Sequence, residues 1–248
     1  MKLLLTSGLA LVVSIATLAQ APKADSTALK AKQDENLALY RRSLAYDDLG
    51  TSCSAITNYL MAGGSNAYED TLALLYYQTN NLRGAYKLAG EINARDAKNL
   101  VSLNLLADIS GRAGETKTSL EWYEKLCTQN PQAFNLYQLA TKQFMLERKK
   151  ECRESLLKVV ADSAQAKQQR TVMDIGNGYT ESVPVLAAAY NMLGVLAFQE
   201  KNNAEARKYY NQALAIHPQF VIGKQNLESL DPKKPAAGVK PAAKPASK

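Results

Sequence analysis

Small and bulky residues recur at fixed spacing near the end of the chain, and this pattern constrains the fold more than any other feature. Its members are Tyr190, Leu193, Gly194, Ala197, Ala206, Tyr210, Ala213 and Pro218. Steps of three and four residues are typical of one face of an α-helix, and Lys201-Asn202-Asn203 separates two such helices. A pair of short helices cannot bury its apolar face alone, so the pattern predicts stacking against similar pairs.

This spacing resembles the signature of the tetratricopeptide repeat, in which W-x2-L-G-x2-Y is followed by A-x3-F and then by P. Tyr190 stands at the tryptophan position and Ala197 at the tyrosine position. The resemblance implies two antiparallel helices per repeat and a core shared along the stack. It also implies an interaction scaffold.

Three earlier segments fit the same pattern in one common register. The four repeats start at Asn66, Leu100, Phe134 and Ala187. Position 8 of each repeat, counted from these residues, holds a small or short side chain: Ala73, Ala107, Thr141 and Gly194. Three positions fit the signature poorly, because Glu69 stands at the tryptophan position, Arg153 at the small position 20 and Ser110 at the tyrosine position 11. We expect three repeats in residues 66–161 and a fourth, with a capping helix, in residues 184–230.

Another helix pair is predicted before the first of these repeats. In residues 24–65, Leu37, Tyr40 and Leu44 recur at helical spacing, and a second helix ends at Gly63-Gly64. We interpret this segment as a degenerate first repeat. The whole sequence therefore predicts an all-α fold, a tetratricopeptide-type α-solenoid of helix-turn-helix repeats with one inserted β-hairpin.

The predicted hairpin lies in an insertion at residues 162–183, between the third and fourth repeats. Two runs of β-forming residues, 170–175 and 179–183, flank Asn177-Gly178. An Asn-Gly pair between alternating residues is a strong signal for a hairpin turn. Because a lone hairpin is marginally stable in water, we expect it to pack on its own solenoid as a lid or to dock on a partner.

The first 19 residues are typical of a secretory signal peptide. Lys2 precedes an apolar run from Leu3 to Leu18, and small residues follow. Cleavage after Ala19 would leave Gln20 as the first residue. The run is short for a membrane span, and an uncleaved anchor is the alternative. We therefore expect an exported protein, periplasmic or secreted, without a transmembrane span after cleavage.

The last segment, residues 231–248, consists mainly of Pro, Ala and Lys. It has almost nothing to bury and is expected to be disordered. Lys2 and five lysines of this tail account for all but one unit of the formal net charge of +7. The charge therefore gives little support to nucleic-acid binding. It leaves open a second function, a structural envelope tether whose tail contacts an anionic surface.

Residues suited to catalysis are scarce in this sequence. His217 is the single histidine, and Cys53, Cys127 and Cys152 lack the spacing of metal ligands. The glycine-rich loops that bind phosphates do not occur. The sequence therefore predicts a protein that is not an enzyme and has no metal and no cofactor.

The resemblance implies a binding groove on the concave side, lined by positions 2, 5, 9, 12 and 13 of the first helix in each repeat. The candidate residues are Asp70, Tyr77, Asn104, Asp108, Arg112, Gln138, Lys142, Asn191 and Phe198. Amides in a row could bond the backbone of an extended peptide, and the aromatic rings offer apolar anchors. The Lys/Asn clamp with which some family members hold carboxylates is not reproduced.

The expected function is that of an exported protein-protein interaction scaffold that binds a peptide or a partner helix in this groove. The alternative for the groove residues themselves is that they are polar because they face water.

Overall fold

The computed structural model describes residues 26–231. The predicted signal peptide lies outside this range, and so does the predicted tail from residue 232 onward. The elements are α1 Ser26–Ala45, α2 Leu49–Met61, α3 Glu69–Gln78, α4 Leu82–Arg95, α5 Leu100–Arg112, α6 Thr116–Gln129, α7 Ala133–Met145, α8 Lys149–Ala161, α9 Ser163–Gln168, β1 Arg170–Gly176, β2 Tyr179–Pro184, α10 Val185–Gln199, α11 Asn203–Ile216 and α12 Val221–Ser229, with a 3-10 turn at Asn66–Tyr68. Within residues 26–231, no helix combines the length and the apolar character that crossing a membrane requires.

The helices stack in sequence order, each packing mainly against its neighbours along the chain. The first helices of successive pairs also touch, α3 against α5 and α7 against α10. The predicted fold class, an all-α solenoid of helix pairs with one inserted hairpin, is therefore confirmed.

A turn of three residues closes every helix pair in the same way. Its central residue has a positive φ in all five pairs: Asp47 (58°), Asn80 (60°), Gly114 (81°), Glu147 (58°) and Lys201 (62°). The residue that follows is the N-cap of the second helix. In three of the pairs its side chain accepts a hydrogen bond from a backbone N–H of the first turn; these N-caps are Asp48, Asn81 and Asn202. The pair α1–α2 therefore shares the turn of the four repeats that follow it.

The turns show that the predicted register is wrong by one residue in the third repeat. From Asn80 to Gly114 the turns are 34 residues apart, whereas Glu147 follows Gly114 after only 33. The cause is the loop before α7, which has three residues, 130–132, where the loop before α5 has four, 96–99. The third repeat therefore begins at Ala133 and not at Phe134.

The corrected register explains the arginine that fitted the signature poorly. Cys152 now occupies the small position 20, and Ala140 occupies position 8; both are fully buried. Arg153 lies beside this packed position and is partly exposed, and it pairs with Glu200 and Glu205. The misfit at Arg153 is thus an error of alignment and not a departure from the packing of the repeat.

The insertion consists of α9 and the predicted hairpin. Strands β1 and β2 pair in antiparallel fashion, from Arg170 opposite Pro184 to Gly176 opposite Tyr179. Asn177 and Gly178 connect them with φ values of 54° and 77°, the two positive values that a type I′ turn requires. Helix α9 was not predicted, because six residues are too few to show a helical period.

The insertion is held to the solenoid at both of its ends. Gln165 and Gln169 accept hydrogen bonds through their side-chain oxygens from the N–H groups of Ala133 and Phe134, at 2.7 and 2.6 Å. The N-cap residue of α7, Gln132, makes no capping hydrogen bond with its side chain. The two glutamines of the insertion therefore cap the N-terminus of this helix. At the other end, Glu181 accepts from Val221 N–H, 3.0 Å away, and lies 3.0 Å from His217 Nε2. The hairpin therefore packs on its own solenoid.

The core is largest around this insertion. Buried residues of α7, α8, α9, β2, α10 and α11 form one continuous cluster, which includes Ala166 and Val183. The clusters between α2 and α6 are smaller. The C-terminal half of the solenoid is thus joined by apolar contacts that run through the insertion.

Gly194 provides a test of the close approach between α10 and α11. A Cβ atom at this position would lie 2.4 Å from the ring of the buried Tyr210. We predict that Gly194→Ala lowers the free energy of unfolding in urea by about 1–3 kcal/mol, because overpacking shifts the ring. The control is Gly90→Ala in α4, where nothing lies within 4 Å. That change should raise the free energy of unfolding by about 0.5–1 kcal/mol, since alanine is the better helix former. Similar effects of the two changes would contradict this account.

Glu181 provides a test of the contact between the hairpin and α12. We predict that Glu181→Ala lowers the free energy of unfolding by about 1–3 kcal/mol, because it removes both hydrogen bonds of the partly buried carboxylate. The amide of Val221 should also exchange faster with deuterium, since it loses its acceptor. The matched control is Thr180→Ala, one residue earlier on an exposed position of β2, which should leave the exchange of Val221 unchanged. Equal exchange in all three proteins would contradict the contact.

Candidate partner-binding groove

A pocket of about 390 Å³ lies between the first helices of three successive repeats. Its walls come from α3, α5 and α7, with one residue from α6. The lining residues are Leu74, Tyr77, Leu100, Val101, Asn104, Leu105, Asp108, Tyr123 and Phe134. We call this pocket and its rim the groove. Three of the nine predicted site residues, Tyr77, Asn104 and Asp108, come together here.

One side of the groove carries a fixed chain of polar contacts. Tyr77 donates a hydrogen bond from its hydroxyl to Asp108 Oδ2, 2.6 Å away, and so joins α3 to α5. The guanidinium of Arg112 lies 5.4 Å from the centroid of the Tyr77 ring, within the range of a cation-π contact. Burial raises the pKa of Tyr77, and the hydrogen bond to Asp108 raises it further. The hydroxyl therefore remains a donor at neutral pH, and Asp108 is held in one orientation.

The other side of the groove is apolar and open to solvent. Leu74 is 41% exposed and Leu100 is 43% exposed, although both are large aliphatic side chains. Phe134 is half-buried beside them. Between these residues, Asn104 is exposed, and its amide has no hydrogen-bond partner among residues 26–231. The groove thus offers an apolar wall next to one free donor and acceptor group.

The remaining candidates on the first three repeats have other surroundings. Asp70 accepts two hydrogen bonds from Asn99 Nδ2, at 3.0 and 3.1 Å, and so holds the residue that caps α5. Lys142 places its ammonium against Gly111 of α5. Gln138 is half-buried. The corrected register assigns the groove positions of the third repeat to Tyr137 and Thr141, one residue before Gln138 and Lys142, and Tyr137 is buried.

Asn191 does not face an open groove. It is only 5% exposed, because α12 covers it, and its side-chain oxygen accepts a hydrogen bond from Asn226 Nδ2 at 2.9 Å. Phe198, at the end of the same helix, is 43% exposed. The capping helix therefore closes the concave side over the middle of α10 and leaves it accessible over the earlier repeats.

The nine candidate residues from the sequence include Tyr77 but not the apolar side chains of Leu74, Leu100 and Phe134, which also line the groove. Phe134 is the clearest case, since the corrected register puts it at position 2, which the resemblance assigns to the groove. Leu74 stands at position 9 of its repeat and carries the same signal. Leu100 shows no such signal in the sequence, because it stands at position 1, which is not among the groove positions.

Among residues 26–231, no three His, Cys, Asp or Glu side chains are placed to hold a metal ion. Burial raises the pKa of Cys127 to about 12 and that of Cys152 to about 12. Both thiols are therefore protonated at neutral pH, and a protonated thiol is neither a nucleophile nor a good metal ligand.

Residues 187–220 match the family model of the tetratricopeptide repeat. The fold is that of a tetratricopeptide solenoid. A tetratricopeptide repeat protein from Parabacteroides merdae ATCC 43184 superposes with a TM-score of 0.63 at 15% identity, over 81% of this chain and 72% of that one. YrrB, described as a tetratricopeptide protein with an unusual peptide-binding site, gives a TM-score of 0.60 at 13% identity, over 84% of this chain and 100% of that one.

A structure of the protein MamA is also similar, with a TM-score of 0.60 at 14% identity, over 77% of this chain and 94% of that one. At these identities the likeness concerns the fold alone. No protein with a curated description matches the sequence.

The contact between Tyr77 and Asp108 can be tested by titration. We predict that the pKa of Tyr77, followed by NMR of tyrosine ring carbons, lies above the usual value of about 10. It should fall towards that value in Asp108→Asn, because the carboxylate no longer stabilises the protonated hydroxyl. Any stability from this contact is present below pH 10 and is lost as the pH rises through the raised pKa. Asp70→Asn is the matched control, since Asp70 bonds Asn99 instead, and an equal fall in both variants would contradict the contact.

Proposed function

We propose that this protein is an exported protein-protein interaction scaffold and that its groove holds a peptide or a helix of a partner protein. The observation that carries the proposal is the open pocket between α3, α5 and α7, with Leu74 and Leu100 exposed beside an unpaired Asn104. Exposed apolar side chains that converge on a concave site are typical of binding sites.

The size of the groove suits side chains and not a large ligand. About 390 Å³ accommodates one or two bulky side chains of a partner. Leu74, Leu100 and Phe134 would contact them, and burial of these residues would provide most of the binding free energy. An apolar or aromatic anchor residue is therefore the central feature of the proposed ligand.

The polar groups of the groove would fix the orientation of the ligand. The amide of Asn104 can donate and accept at once, which matches the C=O and N–H groups of a peptide backbone. Asp108 is already held by Tyr77 and could accept a further hydrogen bond from a backbone N–H. Because Tyr77 holds Asp108 in place before binding, the ligand does not have to order this side chain.

Two further observations support the proposal from outside the groove. YrrB, which shares the fold, is described as having a peptide-binding site. Export rests on the sequence of residues 1–19, which has the charge, the apolar run and the small residues of a signal peptide.

The proposal can be tested with a displayed library of random peptides. We expect selection on the protein to yield peptides with a shared apolar or aromatic residue. Fluorescence anisotropy should then show that Leu74→Ala and Asn104→Ala each weaken the binding of a selected peptide by about 5- to 30-fold, which corresponds to about 1–2 kcal/mol.

The matched control is Lys87→Ala on α4, an exposed residue that does not line the groove. It should leave the affinity unchanged, and circular dichroism should show the same helix content in all variants. Selected peptides that bind both groove variants as tightly as the native protein would overturn the groove as the binding site.

A further inference from the structure

Strand β1 of the inserted hairpin has an open outer edge. Within residues 26–231, β1 pairs with β2 alone, and the helix against which it packs most is α10. Val172, in the middle of β1, is 69% exposed although its side chain is apolar. Arg170 and Asp174, two residues to either side, are also exposed. We call these three the edge residues. An open strand edge is a place where a further strand can pair.

The backbone groups of the edge residues point away from β2. At the base of the hairpin, the C=O of Gln169 accepts a hydrogen bond from Val185 N–H at 2.9 Å. Hydrogen-bonded and non-bonded pairs alternate along an antiparallel ladder, so β1 bonds β2 through Thr171 and Met173. The N–H and C=O groups of the edge residues therefore point outward. No other element of the chain that the structure describes forms a backbone hydrogen bond with them.

The edge residues are complementary to themselves when two copies of β1 lie antiparallel. With Val172 opposite Val172 of the second copy, each Arg170 lies opposite an Asp174. Opposite charges at directly facing positions stabilise a pair of strands. Edge charges of a single sign, which protect many strand edges, would instead repel a second copy. The ladder is irregular between Asp174 and Gly176, so this pairing ends at Asp174.

The charged edge residues can form these pairs. Asp174 uses one carboxylate oxygen to accept from Gly176 N–H, 2.7 Å away, and the other oxygen has no partner among residues 26–231. In the single chain, Arg170 donates from Nε to the hydroxyl of Ser182 at 2.8 Å and also bonds its carbonyl. Because Arg170 is exposed, it can exchange these neutral acceptors for a carboxylate, which forms the stronger, charge-assisted hydrogen bond.

The edge of β2 does not have these properties. Its outward residues are Thr180, Ser182 and Pro184, and none of them carries a charge. Pro184 also lacks the N–H that a further strand would need as a donor. The edge that fits a second copy is therefore the edge of β1.

We propose that β1 pairs with β1 of a second copy of this chain, so that two hairpins form one four-stranded antiparallel sheet. The two-fold axis passes beside Val172, and the same surface is used on both copies. The contact is short, so the dimer is reversible and depends on concentration. The proposal is independent of peptide binding in the groove.

The test is analytical ultracentrifugation of the full chain over a range of concentrations. We expect the mass to rise from one copy to two. Asp174→Lys and Arg170→Glu should each weaken the dimer by about 10-fold or more, since each replaces attraction by repulsion at both ends of the contact. An equal mixture of the two variants should associate as tightly as the native protein, because the introduced lysine then faces the introduced glutamate.

The matched control for charge is Glu154→Lys on α8. This residue is exposed and lies outside the hairpin, and its substitution changes the net charge as Asp174→Lys does. It should leave the dimer unchanged.

Hydrogen exchange tests the same contact without any substitution. The amide of Val172 points outward, so it should exchange more slowly with deuterium as the concentration of the native protein rises. The amide of Thr171, which is bonded to β2, should stay protected in each variant and so shows that the hairpin is intact.

Three results would each overturn the proposal. The first is a single copy at every concentration, with exchange of Val172 that does not depend on concentration. The second is a dimer that both single variants leave intact, because its interface then lies elsewhere. The third is a mixture of the two variants, both with an intact hairpin, that associates no more tightly than either variant alone.

Discussion

The repeated three-residue turn is the constraint on which the rest of this structure depends. The central residue of each turn has a left-handed backbone conformation, and the next residue caps the following helix. The chain therefore reverses its direction within three residues. Gly114 adopts this conformation freely, and Asp47 and Asn80 tolerate it, whereas Glu147 and Lys201 accept a strain of about 1–2 kcal/mol each. The tight reversal brings the paired helices close together, and small residues such as Gly194 make that approach possible. The packing of each pair therefore follows from its turn.

Much of this architecture could be predicted from the sequence because its signals are local. The small residues of each helix pair and the Asn177-Gly178 turn act within a few positions. The predicted register of the third repeat was wrong for a local reason as well. Ala140 and Thr141 are both small, so either fits position 8, and nothing else in the sequence indicates that the preceding loop is shorter by one residue. The misfit of Arg153 indicated this error, because an arginine does not suit a fully buried position.

The site was harder to predict than the fold, because it depends on partners that are distant in the sequence. Asn104 and Asn191 hold the same position in their repeats, yet one is free and the other is covered by α12. Asp70 and Asn104 also stand at the same position of their repeats, and both are polar. Asp70, however, accepts a hydrogen bond from Asn99 and so positions the residue that caps α5. Likewise, the sequence shows that Ser110 departs from the repeat signature, but its lack of a hydrogen-bond partner among residues 26–231 is evident only once α4 and α5 are packed. A repeat position thus specifies a location, and the neighbouring elements decide its role.

The insertion changes how this solenoid is expected to unfold. In a simple array each repeat touches only its neighbours, so unfolding can begin at either end and stop between any two repeats. Here Gln165 and Gln169 bind the start of α7, while Glu181 binds the start of α12, so one short segment ties the third repeat to the C-terminal cap. The C-terminal end is therefore no longer a free end. Opening should begin at the N-terminal helix pairs, and α7 to α12 should open together as a single cooperative unit.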